Sequence, residues 1–271
     1  MADNGVLLEN RGHCSIITIN RPEKLNTFDA DIWSGLEQAV ARLRAKLPRV
    51  IIVTGAGGRA FSAGFDVSPA NPQVASLIES IRSHVHEPVE RLIRYIRTTV
   101  DSLVTLPAPV IACINGLAYG GGAELAARCD LRVMDPGASI CFSEVSLGLM
   151  PDWGGGVALA RLVGRSRAAD LILTARTVGA EEALALGLVN RISRPGTSLA
   201  DSLEMAEAIA KNGPRAIRAA LEVIRRAMDI PPRDAQELET MMASDLITSG
   251  ECIHGITAFM SKKDPEFPDP Q

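Results

Sequence analysis

Three acids and two glycine-rich stretches carry the chemical interest of this 271-residue chain. Glu124 directly follows Gly120-Gly121-Gly122 and one alanine, Glu144 closes the strand-like run 139–143, and Asp152 lies just before Gly154-Gly155-Gly156. Two carboxyl groups near one reacting centre can act as acid and base when their surroundings push their pKa values apart. Taken singly, each acid reads more simply as a surface or helix-start residue. Their position beside two glycine-rich approaches is what singles them out. The first approach, Ala60-Phe61-Ser62-Ala63-Gly64-Phe65-Asp66, follows a buried-strand pattern, and its small residues let a ligand come close to the main chain. The second, residues 115–125 (NGLAYGGGAEL), is a turn and three glycines opening onto a helix. The first amides of such a helix are unpaired and lie at the positive end of its dipole. That suits a phosphate or a developing oxyanion. Neither stretch fits GxGxxG with a later acid for ribose, and the chain contains no GK[ST] and no GxSxG. A main-chain oxyanion site for an acyl group is the better match.

The elements around these residues read as β/α. A hairpin is expected from 6–9 and 14–19, with Asn10-Arg11-Gly12 in its turn. A helix is expected over 29–46, with Ile32, Trp33, Leu36, Ala39, Val40 and Leu43 on one face. Runs at 50–54, 109–114, 131–134 and 138–142 read as strands, and 89–106, 121–128 and 153–162 as helices. Residues 67–90, broken by three prolines, read as a loop with short helices. After residue 195 the pattern is helical, over 198–211, 214–227, 233–248 and 251–262, and the last eight residues read as a disordered tail. The expected division is a catalytic core over 1–195 and a helical segment over 196–271.

Composition narrows the function classes. The net charge of −4, with 46% hydrophobic and 22% charged residues, is that of an ordinary globular chain without a basic face for nucleic acid. The richest basic stretches, 91–97 and 217–226, have the spacing of helix surfaces. No apolar run reaches the roughly 20 residues of a membrane span, and the first ten residues do not resemble a signal peptide. The five cysteines (Cys14, Cys113, Cys129, Cys141 and Cys252) form no CxxC and read as buried thiols of a reducing, cytoplasmic compartment. His13, His84, His86 and His254 give no metal-ligand spacing.

Five segments together resemble the crotonase (enoyl-CoA hydratase/isomerase) superfamily: NRPEKLN (20–26), FSAGFD (61–66), NGLAYGGGAELAARCD (115–130), FSEVSLGLMPDWGGG (142–156) and GITAFMSKK (255–263). The resemblance implies an α/β fold, a spiral of ββα turns with a helical C-terminal trimerisation segment, in trimers or dimers of trimers. It implies an acyl-CoA substrate whose thioester oxygen is held by the amides of Phe65 and Gly121. It implies a water held between Glu124 and Glu144; since hydration needs a base for the water and an acid at C2, Glu124 is expected to orient and activate the water and Glu144 to donate the proton. Lys24 and Leu25, with Ala63, Gly64, Asp66 and Gly120, fall where the family binds CoA and the acyl group, and Phe259 and Lys262 where it reaches a neighbouring subunit's CoA. No metal or redox cofactor is implied, since CoA arrives as part of the substrate.

Two positions depart from the simplest hydratase pattern. Phe65 is bulky where alanine is common, so its ring would shape the acyl pocket together with 67–99 and the helix after Trp153. Asp152 resembles the acid of family members that move double bonds. A hydratase is therefore the leading expectation and an enoyl- or dienoyl-CoA isomerase using Asp152 with Glu144 the second. Asp152 also reads as the N-cap of the helix near Gly154. A dehalogenase or hydrolase of the family ranks lower, as does a non-catalytic acyl-CoA-binding or RNA-binding relative, because both glutamates are intact and the net charge of −4 comes without a Lys/Arg cluster.

Overall fold

The computed structural model describes residues 5–269. The hairpin is β1 (Val6–Arg11) and β2 (Cys14–Ile19), paired from Val6 opposite Ile19 to Arg11 opposite Cys14, so that Gly12 and His13 make the turn, one step later than expected. α1 (Ala30–Ala45) follows, started by Asp29, whose carboxylate accepts from the amides of Asp31 and Ile32. All six apolar residues expected on its inner face are buried.

From β3 onward each turn of the chain leaves one strand in each of two sheets. β3 (Val50–Gly55) is followed by β4 (Ala60–Ser62), then α2 (Pro72–Ser83) and α3 (Glu87–Val104). β5 (Val110–Ile114) is followed by β6 (Leu117–Tyr119) and α4 (Gly121–Arg128), and β7 (Leu131–Met134) by β8 (Ser139–Cys141), α5 (Gly155–Val163) and α6 (Arg165–Thr174). After β9 (Val178–Gly179), α7 (Ala180–Ala185) and β10 (Arg191–Ile192), the larger sheet has the order β1-β2-β3-β5-β7-β10 and the smaller β4-β6-β8-β9. This is a ββα spiral. β3 and β5 are buried at every position, as parallel strands covered on both faces are. Alternate residues face opposite sides. Ile51, Val53, Val110 and Ala112 join the core with α1, and Val50, Ile52, Ile111 and Cys113 pack against Met205 and Ala206 of α8 (Ser198–Ala210).

The C-terminal helices continue as α9 (Pro214–Arg226), α10 (Pro232–Thr248) and α11 (Glu251–Met260). Glu251 caps α9 from a distance, its carboxylate accepting from the amides of Arg215 and Ala216 at 2.9 and 2.8 Å. Among the described residues, no helix is long and apolar enough to cross a membrane.

Two expectations are corrected. Residues 67–90 are mostly helical, because Pro72 and Pro88 stand in the first turns of α2 and α3 and start them. Proline there loses no hydrogen bond and its φ is already helical. Asn71 adds a side-chain cap on Gln73 N. The end of the chain is also held as far as it is described: Arg49 donates to Phe267 O at 2.6 Å and to Asp269 at 2.7 Å.

In the smaller sheet β4, β6 and β8 are neighbours and run parallel, so their carboxyl ends lie along one edge. Ligands of open α/β sheets bind at such an edge. Phe65, Gly121 and Glu144 come within three residues of those strand ends. Fully buried Asn26 fixes the edge: its amide nitrogen donates to Ala56 O (3.0 Å) and Ala60 O (2.8 Å), and its Oδ1 accepts from Arg21 N (3.0 Å). Asn26→Ala strands these groups in the interior. Each such group costs about 1–3 kcal/mol, so the variant is expected to lose at least about 2 kcal/mol in urea unfolding, and an unchanged midpoint would remove this role.

Candidate active site

The two expected oxyanion amides are brought together. Gly64 has φ +84°, and a Cβ on it would lie 2.7 Å from the amide nitrogen of Gly121. Only glycine allows both that backbone angle and that approach. Phe65 N, one peptide bond on, is thereby set beside Gly121 N. Phe28 pairs with the strand edge through the residues flanking Phe65: its amide donates to Gly64 O and its carbonyl accepts from Asp66 N. The Phe65 amide between them makes no hydrogen bond among the described residues. Gly121 opens α4, where an amide has no partner within the helix. Two main-chain donors thus stand free at the positive end of a helix.

Glu124 is 1% exposed, on a helix whose residues 121–127 are all buried. Its carboxylate is matched by the turn before α5. Asp152 N donates to Oε1 at 3.1 Å, and Trp153 N and Gly155 N donate to Oε2 at 2.8 Å each. Gly155 is pressed against the Glu124 side chain: a Cβ there would lie 2.4 Å from three of its carbons. Glu144 begins a short 3-10 turn over Glu144–Leu147, and its Oε1 would lie 3.7 Å from a Cβ on Gly120. Both of its carboxyl oxygens are buried without a hydrogen-bond partner.

The electrostatics follow from this packing. Burial, then the Glu144 charge, raise Glu124 to about 8, against the amides of Gly155 and Asp152. Burial also raises Glu144, although its own amide and Glu124 stand close enough to offset part of the rise. Two neighbouring carboxyls that both resist ionisation keep a proton between them near neutral pH, and the titration belongs to the pair. Asp152 is exposed along part of its surface, yet the protein around its carboxyl raises its pKa as well. The N-cap reading of Asp152 is corrected: Gly154 occupies that position and no side chain caps α5. Among the described residues no group of three or more His, Cys, Asp or Glu could hold a metal ion.

The remaining expected residues divide into two sets. Leu25 and Ala63 meet at the edge, Ala63 N donating to Leu25 O at 3.0 Å, while exposed Lys24 ends the 3-10 turn before Leu25. Leu25 and Asn26 both hold left-handed backbones, φ 52° and 55°, a strain that clusters at functional sites. Asp66 faces the protein: Arg21 donates to it at 2.7 Å and Ser68 N at 2.9 Å. Phe259, on α11, is 84% exposed, and Lys262 follows that helix. α11 packs on α10, and neither side chain is bonded to the site within the chain.

Sequence reasoning missed Arg21, Asn26 and the amide cradle of Glu124. Arg21 and Asn26 lie within NRPEKLN, where only the neighbouring Lys24 and Leu25 were singled out. The rule applied to Gly120–Gly122 points to free amides at 154–156 as well, which covers Gly155 N but neither Asp152 N nor Trp153 N. A cavity of about 650 Å³ lies elsewhere, lined by Arg128, Gly154, Leu221 and Ile224 but by neither glutamate.

Comparison with known proteins agrees with this fold. The sequence model of the enoyl-CoA hydratase/isomerase family matches residues 9–270. The short-chain-enoyl-CoA hydratase of Clostridium acetobutylicum is 33% identical over 96% of this chain and 96% of its own. The crotonyl-CoA hydratase of Syntrophomonas wolfei is 31% identical over 98% and 99%. The crystal structure of an enoyl-CoA hydratase from Bacillus anthracis superposes with a TM-score of 0.88 at 32% identity, covering 97% of this chain and 98% of the other. With the family model matched over residues 9–270 and relatives 31–33% identical along nearly their whole length, the chain belongs to the enoyl-CoA hydratase/isomerase family.

Proposed function

We propose that this protein is a hydratase that adds water across the 2,3 double bond of a 2-enoyl-CoA thioester. The observation that supports this best is Glu144, whose two buried carboxyl oxygens lack a protein partner beside a second carboxyl that has three. Buried polar atoms call for a hydrogen-bonding partner, and a substrate water between the two acids supplies it. The amides of Phe65 and Gly121 accept the thioester oxygen. As negative charge builds there, C3 becomes electrophilic and C2 basic. The water oxygen bonds to C3 while Glu124, aimed by its amides, takes the water's proton. Glu144 delivers its proton to C2. Passage of a proton from Glu124 to Glu144 restores the starting pair, so the cycle needs no metal or redox cofactor, and CoA enters with the substrate.

Lys24, Leu25, Ala63, Gly64 and Gly120 hold the CoA and thioester end, while Asp66 acts through Arg21 by steadying the loop that carries Phe65. The segment after residue 195 has two uses. α8 covers the sheet of the body, and α9–α11 present Ile224, Met228, Ile253 and Phe259 to the outside, a surface that a homotrimer or hexamer would cover, with Phe259 and Lys262 reaching a neighbour's CoA. The reducing cytoplasm suits its five free cysteines.

A double-bond isomerase is the second reading. Asp152 favours it, because its carboxyl caps no helix and its charge acts on both glutamates. Loss of the enoyl absorbance of crotonyl-CoA separates the two. Glu144→Gln is expected to lower the hydration rate about 10²–10⁴-fold, the range of a general acid, and Asp152→Asn to leave it close to wild type. A rate that survives Glu144→Gln and collapses in Asp152→Asn reverses the assignment. Glu124→Gln is expected to lose both rate and stability, by about 1–3 kcal/mol, because its amide NH₂ would face a backbone N–H that the carboxylate now accepts. Thermal unfolding of the two glutamine variants side by side checks this difference.

The pH profile is a separate check. With Glu124 near 8, the pair keeps its proton below that pH and loses it above. kcat/KM is therefore expected to fall about tenfold per pH unit beyond about 8. A rate still rising at pH 9.5 would exclude a required proton on this pair.

A further inference from the structure

The turn that grips Glu124 is itself held by a side chain that the chemistry above does not use. Arg128 stands on α4 four residues after Glu124, on the same face one helical turn on. Its Nη1 donates to Trp153 O at 2.8 Å, and its Nη2 is paired with Asp101 of α3. The side chain is only 15% exposed.

The Trp153 carbonyl belongs to the peptide joining Trp153 to Gly154. The amides on either side of that peptide, Trp153 N and Gly155 N, are the two that donate to Glu124 Oε2. Gly154 itself lies at φ +91°, and a Cβ on it would come within 3.1–3.2 Å of the Arg128 guanidinium. The chain thus presents N–H to Glu124, C=O to Arg128 and N–H to Glu124 in succession. The Trp153 ring does a further job: a Cβ on Gly121 would lie 2.5 Å from it, so the ring is the floor beneath the oxyanion glycine. It is wedged there against Phe28 and Trp33, with ring centroids 5.2 and 4.8 Å away. One residue touches Gly121 by its ring, Glu124 by its amide and Arg128 by its carbonyl.

We infer that Arg128 is a positioning residue: anchored by Asp101, it holds the Trp153 carbonyl and so sets both the aim of the Glu124 carboxylate and the seat of Gly121. Its effect on rate rests on the hydratase reading, but its effect on Glu124 does not. Arg128 reaches Glu124 through the turn: it holds the Trp153 carbonyl between the two amides that donate to Glu124 Oε2.

The test uses Arg128→Met, which keeps the apolar stem and removes the donors, and Arg128→Lys, which keeps one donor for Trp153. Two quantities are read: steady-state kinetics on crotonyl-CoA, and the titration midpoint of the Glu124–Glu144 pair by carboxyl-¹³C-glutamate NMR, assigned with Glu124→Gln and Glu144→Gln. Arg128→Met is expected to raise the midpoint, because amides that favour the carboxylate are lost. It is also expected to lower kcat about 10–100-fold, as small misplacements of catalytic groups do, with KM close to wild type. Arg128→Lys is expected to fall between. An unmoved midpoint in folded Arg128→Met overturns the inference whatever the rate does, and so does a wild-type kcat. If Arg128→Met does not fold, Arg128→Lys decides by the same readings: a raised midpoint with lowered kcat supports the role, and wild-type values overturn it. If the wild type hydrates no enoyl thioester while the midpoint still moves in Arg128→Met, the proposed activity fails and the positioning role stands.

Discussion

A buried carboxylate has to be matched by donors, and the match made for Glu124 organises this molecule. A charge at 1% exposure costs many kcal/mol without donors, and even with them burial and the Glu144 charge hold the pKa of this group near 8. Three backbone amides of the turn before α5 provide the match. They come from the third turn of the spiral, whereas Glu124 belongs to the second. Holding the carboxylate therefore ties consecutive turns of the chain together. It also explains the small residues on both sides, because Gly155 must lie against the glutamate's own carbons.

The partner acid is treated in the opposite way. Glu144 comes off the end of β8 with neither carboxyl oxygen hydrogen-bonded and only its own amide and Glu124 nearby, and its pKa rises mainly through burial. The two groups differ in the backbone around them: Glu124 accepts from three amides, whereas Glu144 has only its own amide nearby. The strand ends set the spacing, since β4, β6 and β8 deliver the first free amide, the second and the unpartnered acid along one edge.

Much of the fold could be read from residue patterns. β3 and β5 declared themselves as unbroken apolar runs, and α1 by six inward residues. What failed was local. Prolines at 72 and 88 were read as breakers although each starts a helix, and the choice between these roles depends on where the preceding cap lies, as Asn71 does for α2. The tail was read from composition alone, while its attachment to Arg49 joins residues 218 and 220 positions apart, which no local pattern reveals. At the site, the residue types and the glycines were visible in advance. The assignment of amides to Glu124 was not, because it needs the third turn folded back onto the second.

On the proposed reading, the oxyanion site is built from main chain, and this has a further consequence. Every residue except proline supplies a backbone N–H, so a change of side chain at position 65 leaves that donor in place and alters only the wall that the Phe65 ring provides. The glycines beside it have no such freedom, since Gly64 touches Gly121 and Gly121 touches Trp153. Under random mutation the two properties are therefore inherited separately. Lineages descending from this sequence can drift in the acyl group they accept through single codon changes at the wall, while the carbonyl-polarising machinery is passed on unchanged or lost outright.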